Sequence, residues 1–171
     1  ELDVCMTKDR VPIVIHDKTL ERTTDGHGPV SEYTLSKLKK LDAGSWFSPE
    51  FEGESIPTLE ETLMQIREKI SVNIEIKPES FESNDPADAI EKQICIMVEK
   101  FGMTESVLIS SFEHTFFQRI KLWHKKNNNK TSIRIAPLQE KSLSHENSLK
   151  LCKSTEAYSL HLDERFLTRS I

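Results

Sequence analysis

The chain has no hydrophobic run near the roughly 20 residues that a membrane-spanning helix requires, so no span is expected. Its three cysteines, Cys5, Cys95 and Cys152, are scattered and odd in number, with no CxxC and no Cys/His ligand spacing. That argues against a zinc site and fits reduced thiols in a cytoplasm. Neither GxGxxG nor GxxxxGK[ST] occurs, which removes the main support for a nucleotide-binding open sheet. Positive charge is not in excess either. The 23 Lys and Arg stand against 28 Asp and Glu, and the formal net charge of −5 argues against a broad nucleic-acid surface. Repeats and low-complexity segments are missing.

What is present describes one soluble globular domain. The 171 residues are enough to bury a core, and 36% hydrophobic with 30% charged residues excludes a disordered chain. Apolar runs of strand length occur at Leu2–Met6, Pro12–His16, Val72–Ile76, Val107–Phe112, Ser132–Leu138 and Tyr158–Leu162. Helical patterns lie between them. Thr58 and Glu61 form a capping box ahead of a stripe at Leu59, Leu63, Ile66 and Ile70. Asp85 is the expected N-cap of a helix whose first residue is Pro86, which buries Ile90, Ile94, Met97, Val98 and Phe101 and stops at Gly102. Another helix is expected over 113–126 with Phe116, Ile120 and Trp123 inward, and a short one follows Thr34 with Leu35, Leu38 and Leu41. The stretch "HKKNNNK" from His124 to Lys130 reads as a solvated turn.

From Val72 onward strand and helix alternate, which implies parallel strands with right-handed crossovers. An open doubly wound sheet and a (β/α) barrel both fit, and the strand faces favour the barrel. In "VNIEIK", Ile74 and Ile76 lie on one face while Asn73, Glu75 and Lys77 lie on the other. Helices would cover the first face, leaving Glu75 and Lys77 toward the barrel interior or its C-terminal mouth, where barrel enzymes keep their chemistry.

Glu1 and Asp3, two apart in a strand-like stretch, point the same way. With Glu75 they make an all-oxygen set suited to a hard divalent cation, Mg²⁺ or Ca²⁺. Lys77 shares the face of Glu75 and could neutralise an anion. His16 ends the second apolar run, where a proton carrier would reach the mouth. Two acids, a His, a third acid and a Lys outline a phosphate-ester site, in which cations neutralise the phosphate oxygens and the His moves protons. A plainer reading also fits each residue: a solvated strand face for Glu1 and Asp3, a structural His, and a surface ion pair between Glu75 and Lys77.

Taken together, "ELDVCMTKDRVPIVIHDKTLERTTDGHGPV", "LSKLKKLDAGSWF", "IPTLEETL", "NIEIKP" and "LISSF" resemble, in order, the glycerophosphodiester phosphodiesterase family. The resemblance runs from Glu1 to about Thr168 and is weakest between Pro137 and Ala157. It implies a TIM (β/α)8 barrel that cuts glycerophosphodiesters, small soluble molecules, to an alcohol and glycerol 3-phosphate. By the same resemblance Glu1, Asp3 and Glu75 are metal ligands, His16 is one of two acid–base histidines, and Lys77 binds the phosphate. The family's His-Arg-Gly and Trp-Thr-Val-Asn-like motifs are not found. The six strands are therefore expected to be the second to seventh of eight, residues 1–171 a partial domain, and the piece alone inactive or nearly so and prone to aggregate.

Further expectations attach to single positions. Arg10 stands where the family commonly has Gly, so the turn is expected to give up a positive φ. Trp46, Phe47 and Phe51 are expected to anchor their loop by packing on the barrel, which weighs against a sphingomyelinase-type phospholipase D. His161 is expected to be structural, and His27 has no assigned role. A non-catalytic protein, either a degenerate barrel kept for binding a phosphorylated metabolite or a gene fragment of the same barrel, is the competing reading from a different class.

Overall fold

The alternation of apolar and polar residues in "VNIEI" and the apolar run that opens "VLISS" build the centre of the sheet, with Ile74 and Ile76 of the first and Val107 and Ile109 of the second meeting the helices. The structure, a computed structural model, describes residues 1–127, 132–140, 144–163 and 165. Among the described residues six strands form one sheet in the order β2-β1-β3-β4-β5-β6. They are β1 (Leu2–Met6), β2 (Pro12–Val14), β3 (Val72–Ile76), β4 (Val107–Ser111), β5 (Arg134–Gln139) and β6 (His161–Leu162). From β1 through β6 every neighbouring pair except β1–β2 is parallel.

That exception corrects the strand count. The segment Pro12–Val14 runs antiparallel to β1, with Val4 opposite Val14 and Met6 opposite Pro12. It is the return arm of a hairpin above the wall, so five strands rather than six are parallel wall strands. Only a short turn separates the two arms, and a parallel neighbour needs a crossover of a dozen or more residues. Arg10 sits in that turn with φ 67°, so the left-handed residue is kept even though it is not Gly. The Arg10 guanidinium pairs with both carboxylate oxygens of Glu82, at 2.9 and 2.7 Å, and with Asp88, which ties the hairpin to the segment ahead of the third helix.

The described residues also form helices α1 (Leu35–Leu38), α2 (Leu59–Ile66), α3 (Ile90–Lys100), α4 (Thr115–Lys126) and α5 (His145–Thr155). The Thr58–Glu61 capping box forms in both directions. Helix α2 then stops at Ile66, because Arg67 turns extended, and Ile70 is left exposed outside the stripe. Asp85 is not the cap of α3. It takes a positive φ of 50° and pairs with Lys92, while Ala89 precedes the first helical residue. The main core is the outer face of the sheet (Val4, Ile74, Ile76, Ile109, Ile135) closed by Leu63, Ile94, Val98, Phe116 and Ile120. His124 is not in a solvated turn; it lies in the last turn of α4, is 5% exposed, and accepts the Ile133 N–H. Residues 128–131 and the "LTRSI" end lie outside the described residues.

Candidate active site

Parallel register brings the acids together. Asp3 lies level with Glu75 on the neighbouring strand, and Glu75 level with Ser110 on the next. Their side chains share the face opposite the helix-covered core. Glu1 belongs to the same face, two residues before Asp3. One oxygen each from Glu1, Asp3 and Glu75 lies within 4.8 Å of the others. Three carboxylates at that spacing repel one another unless a cation joins them.

Lys77 is the cation present. Its Nζ lies 3.0 Å from Asp3 Oδ1 and 2.9 Å from Glu75 Oε1, and each of the three side chains is only 13–14% exposed. Burial works against the Lys77 charge, but hydrogen bonds and attraction to Glu75 and Asp3 outweigh it and hold the ammonium above its ordinary range. Glu1 makes no ion pair among the described residues, and Lys77 acts on it only from a distance. Partial burial, then the neighbouring Asp3 charge and that of Glu75, push its carboxyl up. The all-oxygen donor set and the mutual repulsion of its three acids fit a hard cation of the Mg²⁺ or Ca²⁺ type.

The hairpin delivers His16. After Val14 the chain runs on antiparallel to β1, and the Ile15 N–H donates to the Asp3 carbonyl at 3.0 Å. His16 follows, and with Glu1, Asp3, Arg22 and Trp46 it lines one open cleft of about 400 Å³. The expectation from strand parity thus reaches the right neighbourhood by a different route: a hairpin return, not a wall strand. Behind His16, Nδ1 lies 2.7 Å from Asp17 Oδ1, and Arg22 grips the same carboxylate. Hydrogen bonds from Arg22, then His16, hold the Asp17 carboxyl well below the usual range.

The structure does not bring every candidate to the cleft. His27 is exposed in its loop. His161 Nε2 lies 3.2 Å from Ser159 Oγ and lines a separate cleft with Phe112 and Leu138. Cys5 and Cys95 are free and buried, and burial pushes the Cys5 thiol up to about 12. The aromatic loop departs from expectation. Trp46, Phe47 and Phe51 are 51%, 71% and 43% exposed and touch one another, with ring centres 5.8 Å apart, rather than packing on the wall. The loop is held by local hydrogen bonds and a close approach instead: the Asp42 carboxylate accepts the Gly44 and Ser45 N–H groups, the Trp46 indole N–H donates to the Ala43 carbonyl, and a Cβ at Gly44 would lie 1.9 Å from the Phe51 carbonyl oxygen.

Three cleft or near-cleft residues escape sequence reasoning. Asp17 and Arg22 carry a visible signal, an acid directly after the His and a cation five residues on. Ser110 carries none; its buried hydroxyl, level with Glu75, has no hydrogen-bond partner among the described residues.

Parallel wall strands with acids, Lys and His at one end define an α/β fold of the TIM-barrel class with an oxygen-rich, cation-seeking cleft. The family is equally plain: residues 1–164 match the model of the glycerophosphoryl diester phosphodiesterase family, and the chain belongs to it. It is 43% identical over 122 residues to a glycerophosphodiester phosphodiesterase of Caldanaerobacter subterraneus, covering 71% of this chain and 49% of that protein. A second, from Bacillus altitudinis, is 39% identical over 127 residues, covering 73% and 49%. The chain spans about half the length of these curated relatives. Among solved structures, an Oleispira antarctica phosphodiesterase in complex with the product sn-glycerol-3-phosphate superposes with a TM-score of 0.78 at 27% identity, covering 98% of this chain and 64% of that one. A glycerophosphodiester phosphodiesterase from Agrobacterium tumefaciens, 22% identical with a TM-score of 0.63 and 96% and 83% coverage, shares the fold.

Proposed function

We propose that the protein carrying this chain is a cytoplasmic, divalent-metal-dependent glycerophosphodiester phosphodiesterase, with residues 1–171 as part of its catalytic domain. The observation that carries the reading is the convergence of Glu1, Asp3 and Glu75 within 4.8 Å beside Lys77. Family membership and the relatives' names support the reaction, and the free, mostly buried cysteines support the compartment.

In this reading Glu1, Asp3 and Glu75 hold the metal, which supplies positive charge against the phosphate oxygens. Lys77 adds a second positive charge to the phosphate. The substrate hydroxyl beside the phosphate attacks phosphorus and loses its proton, while the departing alkoxide gains one; His16 serves one of these two positions. This first step leaves the free alcohol and a five-membered cyclic glycerol phosphate; water then attacks phosphorus and a ring P–O bond breaks, giving glycerol 3-phosphate. In-line attack needs the phosphate held still, which is the task of the buried charges.

The test is turnover of glycerophosphocholine by the intact protein with Mg²⁺ or Ca²⁺, then with chelator. Chelation is expected to abolish turnover, and Glu75→Gln to lower kcat/KM by about 100-fold or more. Binding of glycerol 3-phosphate without any turnover would replace this reading with the non-catalytic one. A second reading has its own observation: the exposed Trp46–Phe47–Phe51 cluster beside the cleft is what a diester carrying an acyl chain would need. Adding a micellar acylated glycerophosphocholine to the same assay separates the two. Preference for the micellar substrate, lost on Phe47→Ser, would favour it.

A further inference from the structure

We propose that Asp17 and Arg22 are positioning residues for His16, forming a relay braced by Trp46 that presents His16 Nε2 to the substrate. The inference rests on the reading of His16 as an acid–base group and goes beyond it by assigning the residues that aim it.

The geometry is continuous. His16 Nδ1 lies 2.7 Å from Asp17 Oδ1. Arg22 Nε donates to Asp17 Oδ2 at 2.5 Å and Arg22 Nη2 to Asp17 Oδ1 at 2.8 Å, a fork on one carboxylate. The Arg22 guanidinium carbon lies 5.9 Å from the centre of the Trp46 ring. Trp46 is fixed in turn, its indole N–H donating to the Ala43 carbonyl at 2.9 Å. His16, Arg22 and Trp46 line the same cleft as Glu1 and Asp3, whereas Asp17 stands behind the imidazole.

An ionised carboxylate accepts hydrogen bonds and donates none. A ring nitrogen facing Asp17 must therefore carry a proton, which leaves Nε2 as the open position of a neutral His16. The Arg22 fork keeps Asp17 ionised and stops the carboxylate from rotating. This matters because the His16 side chain is 63% exposed and nothing else hydrogen-bonds its ring among the described residues. Without Asp17 the ring would sample both tautomers and several rotamers. Catalysis would slow through lost orientation, not through lost binding.

The alternative role for Arg22, direct contact with the substrate phosphate, makes a different pattern. If Arg22 acts through Asp17, the two substitutions are not additive; if it binds substrate, they are.

The experiment uses the intact, metal-loaded protein with glycerophosphocholine. It compares wild type, Asp17→Asn, Asp17→Glu, Arg22→Gln and the double variant Asp17→Asn/Arg22→Gln. Asp17→Asn is expected to lower kcat by about 10- to 100-fold, the usual range for an outer-shell partner, with KM within about twofold and Asp17→Glu partly restored. Arg22→Gln is expected to lower kcat by a smaller factor, with the double variant no slower than Asp17→Asn alone. A normal kcat for Asp17→Asn, or a raised KM for Arg22→Gln with additive losses, overturns the relay. Nitrogen-15 NMR of the His16 ring at alkaline pH gives an independent reading. Wild type is expected to be protonated on Nδ1, with that preference lost in Asp17→Asn. An Nε2-protonated wild-type ring overturns the relay whatever the turnover. An Nδ1-protonated ring in a protein without turnover overturns the enzymatic reading and, with it, the catalytic role given to the relay.

Discussion

Lys77 is the residue in which charge and function meet. Its ammonium bridges Asp3 and Glu75, two of the three acids that would hold a divalent ion. In the metal-free protein it offsets part of the repulsion among the acids; once a metal is bound, it becomes a like charge a few ångströms away. Replacing it should therefore act in opposite directions on two measurements. Lys77→Met is expected to raise Mg²⁺ affinity by about tenfold or more in calorimetric titration, because both a competitor and a repulsion vanish. The same change should lower the metal-free melting temperature, since buried carboxylates lose their partner. Unchanged or weaker metal binding would show that Lys77 does not compete for the acids. Cys5 teaches the opposite lesson at this scale: although it follows Asp3 on the same face, its thiol donates to the Ile15 carbonyl at 3.6 Å and is spent on the hairpin.

Among the elements, the β1–β2 hairpin does most to organise the cleft, since it carries Asp3 outward and brings His16 back beside it. Its turn contains an unfavourable residue, Arg10 at φ 67°. A non-Gly residue there costs about 1–2 kcal/mol, while exposed ion pairs such as those to Glu82 and Asp88 return about 0–1 kcal/mol. The two nearly cancel. Arg10→Gly is accordingly expected to change stability by less than about 1 kcal/mol, whereas Arg10→Ala, which loses the pairs and keeps the strain, should fall below it by about 1 kcal/mol. Urea unfolding of the two variants reads the difference, and an Ala variant as stable as the Gly one would mean that the turn carries no strain. Helix α2 shows a local signal acting as read: Thr58 accepts the Glu61 N–H at 3.1 Å and Glu61 accepts the Thr58 N–H at 2.8 Å. Asp85 shows one overridden, because ion pairing with Lys92 and Arg119 draws it into a turn four residues ahead of the helix cap.

At the scale of the whole molecule, the sheet of the described residues is open, with β2 and β6 at its ends. Edge strands of a sheet present unpaired N–H and C=O groups that pair readily with another chain. Produced as an isolated 171-residue polypeptide, the chain is expected to associate with rising concentration, as light scattering coupled to size exclusion would record. A monodisperse monomer at high concentration would show that the edges are protected. The exposed aromatic cluster of Trp46, Phe47 and Phe51 adds an apolar surface beside the cleft, so mild detergent should reduce that association only in part.

Much of this architecture is local information. The period of two in "VNIEI", the capping box at Thr58, and the apolar stripes of α3 and α4 are legible because each depends on residues near in the chain. The same periodicity put Glu75 and Lys77 on the face away from the core. The ordered set of motifs from Glu1 onward identified the family, which the match over residues 1–164 bears out. Proximity across the chain was decided only by the tertiary structure. Nothing in the spacing of Asp3 and Glu75 states that they lie level on adjacent strands; parallel pairing through a crossover does. Nor does the run "PIVIHD" announce that it is a hairpin arm, since a strand reads alike whether its neighbour is parallel or antiparallel. The exposure of Trp46 and Phe47 was equally hidden, because a loop held by Asp42 and by a backbone contact at Gly44 does not need its aromatics to anchor it. Which faces are apolar and which residue types carry charge is written along the chain; which charges meet is set by the packed sheet, because repulsion and pairing act through space.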